Sequence, residues 1–276
     1  IKDKKQAAIK AAVLCSLAVL VGSYIIPAQS KLVWHYLESG RYLLVALFLL
    51  FELAAMLTVY LAIRSALKQQ AEPDLAISQP IERLLGKGIT ADILAFETRL
   101  WTYLLFAGKI KPAQFQGDKH FSYHVKDGAQ TNALGFILLI ALELPLVHLL
   151  LHFAWSPLAA NIVSGLTLFS LMFFIAEYRA MAIRPVSIDA EHIYIRYGIF
   201  NRRIIPLANI LVVRRHKGYV TRSSDSKRYN FAGEPNIAIE LRYADDKITY
   251  LYLGLDQPQA FIDCVQFNMQ CNQNKD

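Results

Sequence analysis

Glu52 and Glu143 each stand in the middle of a run of apolar residues, and His148 and His152 follow in the second of these runs, four residues apart. A carboxylate near the centre of an apolar helix is expensive as an ion. It is expected to be neutral, paired, or turned toward water, the last being the arrangement a proton or cation path uses. Glu52 lies 11 residues before Ile63 and Glu143 lies 12 residues after Thr131. At 1.5 Å per residue both sit about 17–18 Å from the same boundary. Histidines four apart share a helix face, a spacing that suits a metal pair, with His35 as a third ligand. On an ideal helix Glu143 points about 140° from His148 and about 180° from His152, so it does not join that set. His120 and His124 repeat the spacing, with no acid or cysteine at ligand distance in sequence. The plainer reading of both histidine pairs is a satisfied side chain at an interface.

A second concentration of chemistry is positive. Arg196, Arg202, Arg203, Arg214, Arg215, Lys217, Arg222, Lys227 and Arg228 fall within one segment that holds a single acid, Asp225. Such a cluster beside a bilayer attracts anionic head groups, about 1 kcal/mol per cation. An acidic protein partner would be recognised by the same charges. Nucleic acid is not expected, because Tyr219, Tyr229 and Phe231 form no evident stacking platform.

These residues must be held by an unusual chain. Of 276 residues, 55% are apolar and 18% charged, with a net charge of +7. Ordinary globular chains carry about 25% charged residues. The apolar excess lies in four runs, Ala11–Ala28, Tyr42–Ile63, Thr131–Ala154 and Leu158–Met181, each near the ~20 residues a membrane crossing needs. They make two helical hairpins, over 1–64 and 131–181. The lysine-rich start is read with the first run as a retained span, since Ile26-Pro27-Ala28 is a poor signal-cleavage site. Lysine and arginine set the orientation. The two short loops inside the hairpins hold only Lys31 and Arg41, whereas four lysines precede the first run, nine basic residues separate the hairpins and thirteen follow the last run. Both termini are therefore expected in the cytoplasm.

The interval 65–130 reads as a partly helical cytoplasmic linker. Thr90 is placed to cap a helix running to about Ala107, which lies either on the bilayer or on the cytoplasmic domain. From 182 onward the texture changes to strands, with alternation in Pro185–Asp189, His192–Tyr197, Arg202–Pro206, Asn209–Arg215, Asn236–Tyr243 and Lys247–Leu253. A last amphipathic helix starts at Asp256, expected as its N-cap, with Pro258 in the first turn. The expectation for 182–276 is a small β-barrel or sandwich closed by a helix.

Two spans followed by Arg184-Pro185-Val186-Ser187-Ile188, then Ile195-Arg196-Tyr197-Gly198-Ile199, then Arg203-Ile204-Ile205-Pro206-Leu207-Ala208-Asn209-Ile210, resemble bacterial membrane proteins with a C-terminal pleckstrin-homology-like domain. The likeness covers about residues 157–276; the polar stretch Lys217–Pro235 departs from compact members. The resemblance implies a binding role toward lipid or protein, and no chemistry.

Absences point the same way. No phosphate-binding loop, zinc-protease helix, nucleophile elbow, dinucleotide fingerprint or paired-cysteine motif occurs, and the three cysteines are no disulfide framework. An enzyme is disfavoured and no cofactor is expected. The reading is a multi-pass bacterial inner-membrane protein whose cytosolic domain is a non-catalytic module binding lipid or protein. The alternatives are a proton- or cation-coupled transporter using Glu52 and Glu143, and a membrane-embedded metalloenzyme using His35, His148 and His152.

Overall fold

The computed structural model describes residues 72–273 apart from 87, 127 and 232, together with single helical positions at Cys15, Ala46, Leu50, Leu53, Leu57 and Leu61. Apart from those positions, the runs expected at Ala11–Ala28 and Tyr42–Ile63 lie outside the described residues, as do His35 and Glu52. The chain divides into two compact units, Ile1–Val59 and Tyr60–Asp276. In the first, the described positions are helical and exposed. Both sheets and the long described helices belong to the second.

Helix α1 spans Pro73–Leu85, with Pro73 and Asp74 in its first turn, where a fixed φ and a negative charge favour helix initiation. Helix α2 spans Ile89–Phe106. The cap position falls to Gly88, whose carbonyl accepts the Asp92 N–H at 3.0 Å, so Thr90 lies inside the first turn and not at the cap. The short strand β1, Lys119–Phe121, precedes two long helices, α3 (Ala129–Ala154) and α4 (Pro157–Ile183). At 1.5 Å per residue each measures about 40 Å, enough to cross a hydrocarbon core of about 30 Å. Ser156 caps α4 by accepting the Ala159 N–H at 3.1 Å, and Pro157 opens the helix. The buried residues of the pair are mostly small, Ala129 and Ala133 on α3 and Ala160, Ala176 and Ala180 on α4, while Leu138, Leu142, Leu146, Leu150, Ile162 and Leu166 stay exposed. Helices apolar all round with exposed leucines point to membrane association. These two are the membrane-crossing candidates among the described residues.

After α4 come β2 (Val186–Ile188), β3 (His192–Tyr197) and β4 (Asn201–Pro206). With β1 they form an antiparallel sheet ordered β1-β2-β3-β4. A second sheet contains β5 (Ile210–Arg215), β6 (Ser226–Tyr229), β7 (Ile237–Asp245) and β8 (Ile248–Leu253), ordered β5-β7-β8-β6. Its pairs are antiparallel except β6 with β8, which is parallel. Helix α5, Pro258–Gln273, ends the fold. Ile193, Ile195 and Ile205 from the first sheet, Val213, Ile239, Leu251 and Leu253 from the second, and Phe261, Ile262 and Val265 from α5 share one core. Each such side chain contributes about 1.5–3 kcal/mol by leaving water. Among the described residues no strand pairing joins the sheets. The arrangement is two sheets with a helix; the barrel is not closed.

Two sequence expectations change. Asp256 does not serve chiefly as a helix cap: its carboxylate accepts the Lys126 N–H at 2.7 Å and the Val125 N–H at 3.4 Å, pinning the segment after β1. Of the interval 65–130, the described part begins at 72, and it packs into the fold. It supplies β1 to the first sheet, and Leu100, Tyr103, Ile110 and Phe115 pack with Ala176 and Ala180 of α4 and with Ile199. Helix α2 thus lies on the protein.

Candidate functional site

Strand β3 is buried on both faces, because Glu72 and the segment around Phe115 and Gln116 cover the side that alternation assigns to solvent. Arg196 is on that covered side and is fully buried. Its Nη2 donates to Glu72 Oε1 at 2.6 Å and to the Gln116 carbonyl at 3.3 Å, while Nη1 donates to Ser187 Oγ at 3.1 Å. Its guanidinium lies 5.1 Å from the Phe115 ring centroid and 5.2 Å from that of Tyr194. Arg196 therefore leaves the expected basic surface. Next to it, Arg184 Nη2 meets Asp74 Oδ2 at 2.6 Å, with both side chains at 0% exposure. Burial alone would raise the Asp74 carboxyl. The charge of Arg184, its hydrogen bond, and the charges of Arg99 and Arg196 outweigh that and hold the pKa below the ordinary aspartate value. Neither Glu72 nor Asp74 was singled out by sequence; flanking Pro73, they look like an ordinary helix start.

The same cluster fixes the turn between β3 and β4. Gly198 has φ +59°, and a Cβ there would collide with the Glu177 carboxylate. The turn is held from three sides: the Gly198 N–H donates to Tyr123 Oη at 2.8 Å, the Ile199 N–H donates to Glu177 Oε2 at 2.6 Å, and Arg184 donates to the Gly198 carbonyl.

The other expected cations divide. Arg202 is half-buried, 4.0 Å from Glu72 Oε2. Arg203 is neutralised by Asp245 at 2.9 Å and Asp246 at 3.6 Å. Arg228 donates to the Val220 carbonyl and lies 5.7 Å from the centroid of the Tyr219 ring. Arg214, Arg215, Lys217, Arg222 and Lys227 are exposed, with no acidic partner among the described residues. Register places some of these together. Arg214 pairs with Ala238, Ala238 with Tyr252, and Tyr252 with Arg228. Cross-strand partners point to the same face. One face of the second sheet therefore carries a row with an arginine at each end and a tyrosine and an alanine between them. His216 packs edge-on against Tyr252, with centroids 5.2 Å apart. Arg215 and Lys227 belong by register to the opposite face.

In the long helices, Glu143 lines an open groove of about 430 Å³ with Thr167 and Ser170. His148 shares a 2.8 Å hydrogen bond with Ser164 Oγ, and its ring stacks on His152 with centroids 5.9 Å apart. No group of three or more His, Cys, Asp or Glu residues is gathered in metal-binding fashion among the described residues. His120 and His124 line a smaller pocket of about 160 Å³ beside the end of α4. Burial and the nearby Arg196 charge lower the His120 pKa, against a small opposing pull from Asp118.

Comparison of the chain with protein-family models, with curated proteins and with solved structures finds no match.

Proposed function

We propose that this is a multi-pass bacterial inner-membrane protein with four spans and both termini in the cytoplasm, whose pleckstrin-homology-like C-terminal part binds anionic phospholipid head groups without catalysis. The carrying observation is the second sheet: Arg214 and Arg228 bracket Tyr252 on one face, and four neighbouring cations, Arg215, Lys217, Arg222 and Lys227, have no acidic partner among the described residues. The first sheet resumes at Val186, with two residues between it and α4, and shares its core with the second, which keeps the second sheet near the leaflet, where each cation adds about 1 kcal/mol of attraction. Salt weakens such attraction, since the screening length is about 8 Å at physiological ionic strength.

The test uses the full chain in nanodiscs of phosphatidylcholine, with and without phosphatidylglycerol. Amide exchange over 210–229 is expected to slow with the anionic lipid, to recover in high salt, and to be insensitive to lipid in R214E/K217E/R222E. Equal exchange in both lipids removes the lipid reading and leaves an acidic protein partner.

A second reading, a proton- or cation-coupled transporter, is favoured by one observation: Glu143 shares its groove with the hydroxyls of Thr167 and Ser170. Proton-coupled flux in proteoliposomes that disappears in E143Q supports it, and no flux in the parent protein ends it.

A further inference from the structure

The cluster that joins α1, α2, the end of α4 and β3 holds more positive charge than its own carboxylates neutralise. Asp74 faces Arg184 Nη2 at 2.6 Å and Arg196 Nε at 3.8 Å, and it also accepts from Tyr103 Oη at 3.4 Å. Glu72 faces Arg196 at 2.6 Å and Arg202 at 4.0 Å. Arg99, on α2, is close enough for Asp74, Arg184 and Arg202 to act on its charge. Its Nε is buried with no hydrogen-bond partner. Among the described contacts of this cluster, four guanidiniums face three carboxylates even with Glu177 included, and the Glu177 carboxylate already takes the Ile199 N–H. The Nε atoms of Arg99, Arg184, Arg196 and Arg202 are all buried without a hydrogen-bond partner, as is Glu72 Oε2. Arg184 and Arg196 are buried and each is paired at 2.6 Å, so the unmet need lies at the half-buried Arg99 and Arg202, whose desolvated Nε–H donors cost free energy until an acceptor meets them.

We propose that Arg99 and Arg202, backed by Arg184, bind the phosphate group of an anion. The guanidinium fork matches phosphate oxygens two at a time, and a less strongly hydrated cation gives up water for a half-buried site more readily than an ammonium does. Arg184 directly follows α4, so the phosphate of a lipid head group is within the chemistry this position meets; a free phosphate is the other source. The site uses neither Arg214, Arg228 nor their neighbours. It stands whether or not the outer sheet face binds lipid.

The experiment measures thermal unfolding of the full chain in a neutral detergent. Inorganic phosphate is compared with chloride at matched ionic strength, and a short-chain phosphatidate is tested separately. At about ten times its Kd, a bound probe raises the midpoint by about 3 °C. The rise is expected in the parent and in R214E/K217E, lost in R99Q and partly restored in R99K. A rise with phosphatidate alone assigns the source to a head group; a rise with inorganic phosphate assigns it to the free anion. No rise with either probe overturns the proposal, as does an undiminished rise in R99Q. Should R99Q fail to fold, phosphorus NMR decides: the inorganic phosphate resonance broadens with the parent and stays sharp with R202Q. Equal broadening by both also overturns the site.

Discussion

Asp74 and Arg184 are separated by 110 residues in sequence and by 2.6 Å in space, and neither side chain touches solvent. Through this pair the first turn of α1 grips the residue that ends α4. Removing one member of a buried pair leaves an uncompensated charge and costs about 3–5 kcal/mol. D74N is expected to lose stability on that scale in denaturant unfolding of the full chain. The D74L/R184M double substitution, which replaces the pair by apolar side chains, should recover most of it. A D74N protein as stable as the parent would show that the pair contributes little.

Acid sensitivity follows from the same carboxylate. The Asp74 pKa is depressed in the folded state, so its contribution to stability is present above the unfolded value of about 3.9. It disappears as pH falls through the lower folded value. Asp189, depressed as well although burial opposes it, because it accepts from the Glu191 N–H, the Tyr194 hydroxyl and the His192 N–H, adds to the same window. Stability measured below pH ~4 should fall less steeply with acidification in D74N than in the parent.

At the alkaline end, Tyr194 behaves in the opposite sense. Burial, the hydrogen bond it donates to Asp189 at 2.8 Å, and the Asp189 charge push its pKa up to about 12. An unfolded tyrosine ionises near pH ~10. The folded state keeps the proton longer, so stability is lost as pH rises from about 10 toward about 12. Tyr103 and Tyr229 are raised as well, so the ultraviolet titration of Y194F is compared with the parent's, and the difference should show one phenol ionising near pH 12 that the variant lacks. A Y194F titration identical to the parent's would reject the assignment.

Gly198 is expected to tolerate no side chain. G198A places a Cβ against the Glu177 carboxylate at φ +59°, a strained conformation costing about 1–3 kcal/mol. Shortening the carboxylate in E177A removes the collision. The cycle of G198A, E177A and the double substitution should therefore show coupling of about 0.5–3 kcal/mol. Strict additivity would mean the two residues do not meet.

Much of the β region is legible as alternation. His192–Tyr197 begins and ends where the pattern places it, and β4, β5, β7 and β8 differ by one or two residues at their ends. The strands that escape are the short ones. In β1, three residues with only Phe121 buried carry too little pattern, and β6 sits in a polar stretch where Tyr229 alone points to the core.

The charged residues were harder to read for a different reason. Arg196 occupies a polar position of an alternating strand, and alternation assigns such a position to water. Its partner Glu72 is 124 residues away and lies in a segment that periodicity treats as separate. Nothing local distinguishes Arg196 from Arg214, yet one is sealed and the other open. Arg99 likewise reads as a polar position on an amphipathic helix, and only the folded neighbourhood reveals a buried Nε with no hydrogen-bond partner.

β1 is made before the α3–α4 hairpin and β2 after it, yet the two are hydrogen-bonded neighbours. The first sheet can zip together only when the two long helices have packed side by side and returned the chain to where it left β1. Closure of that hairpin is therefore the gate through which a contact between segments about 65 residues apart is made local.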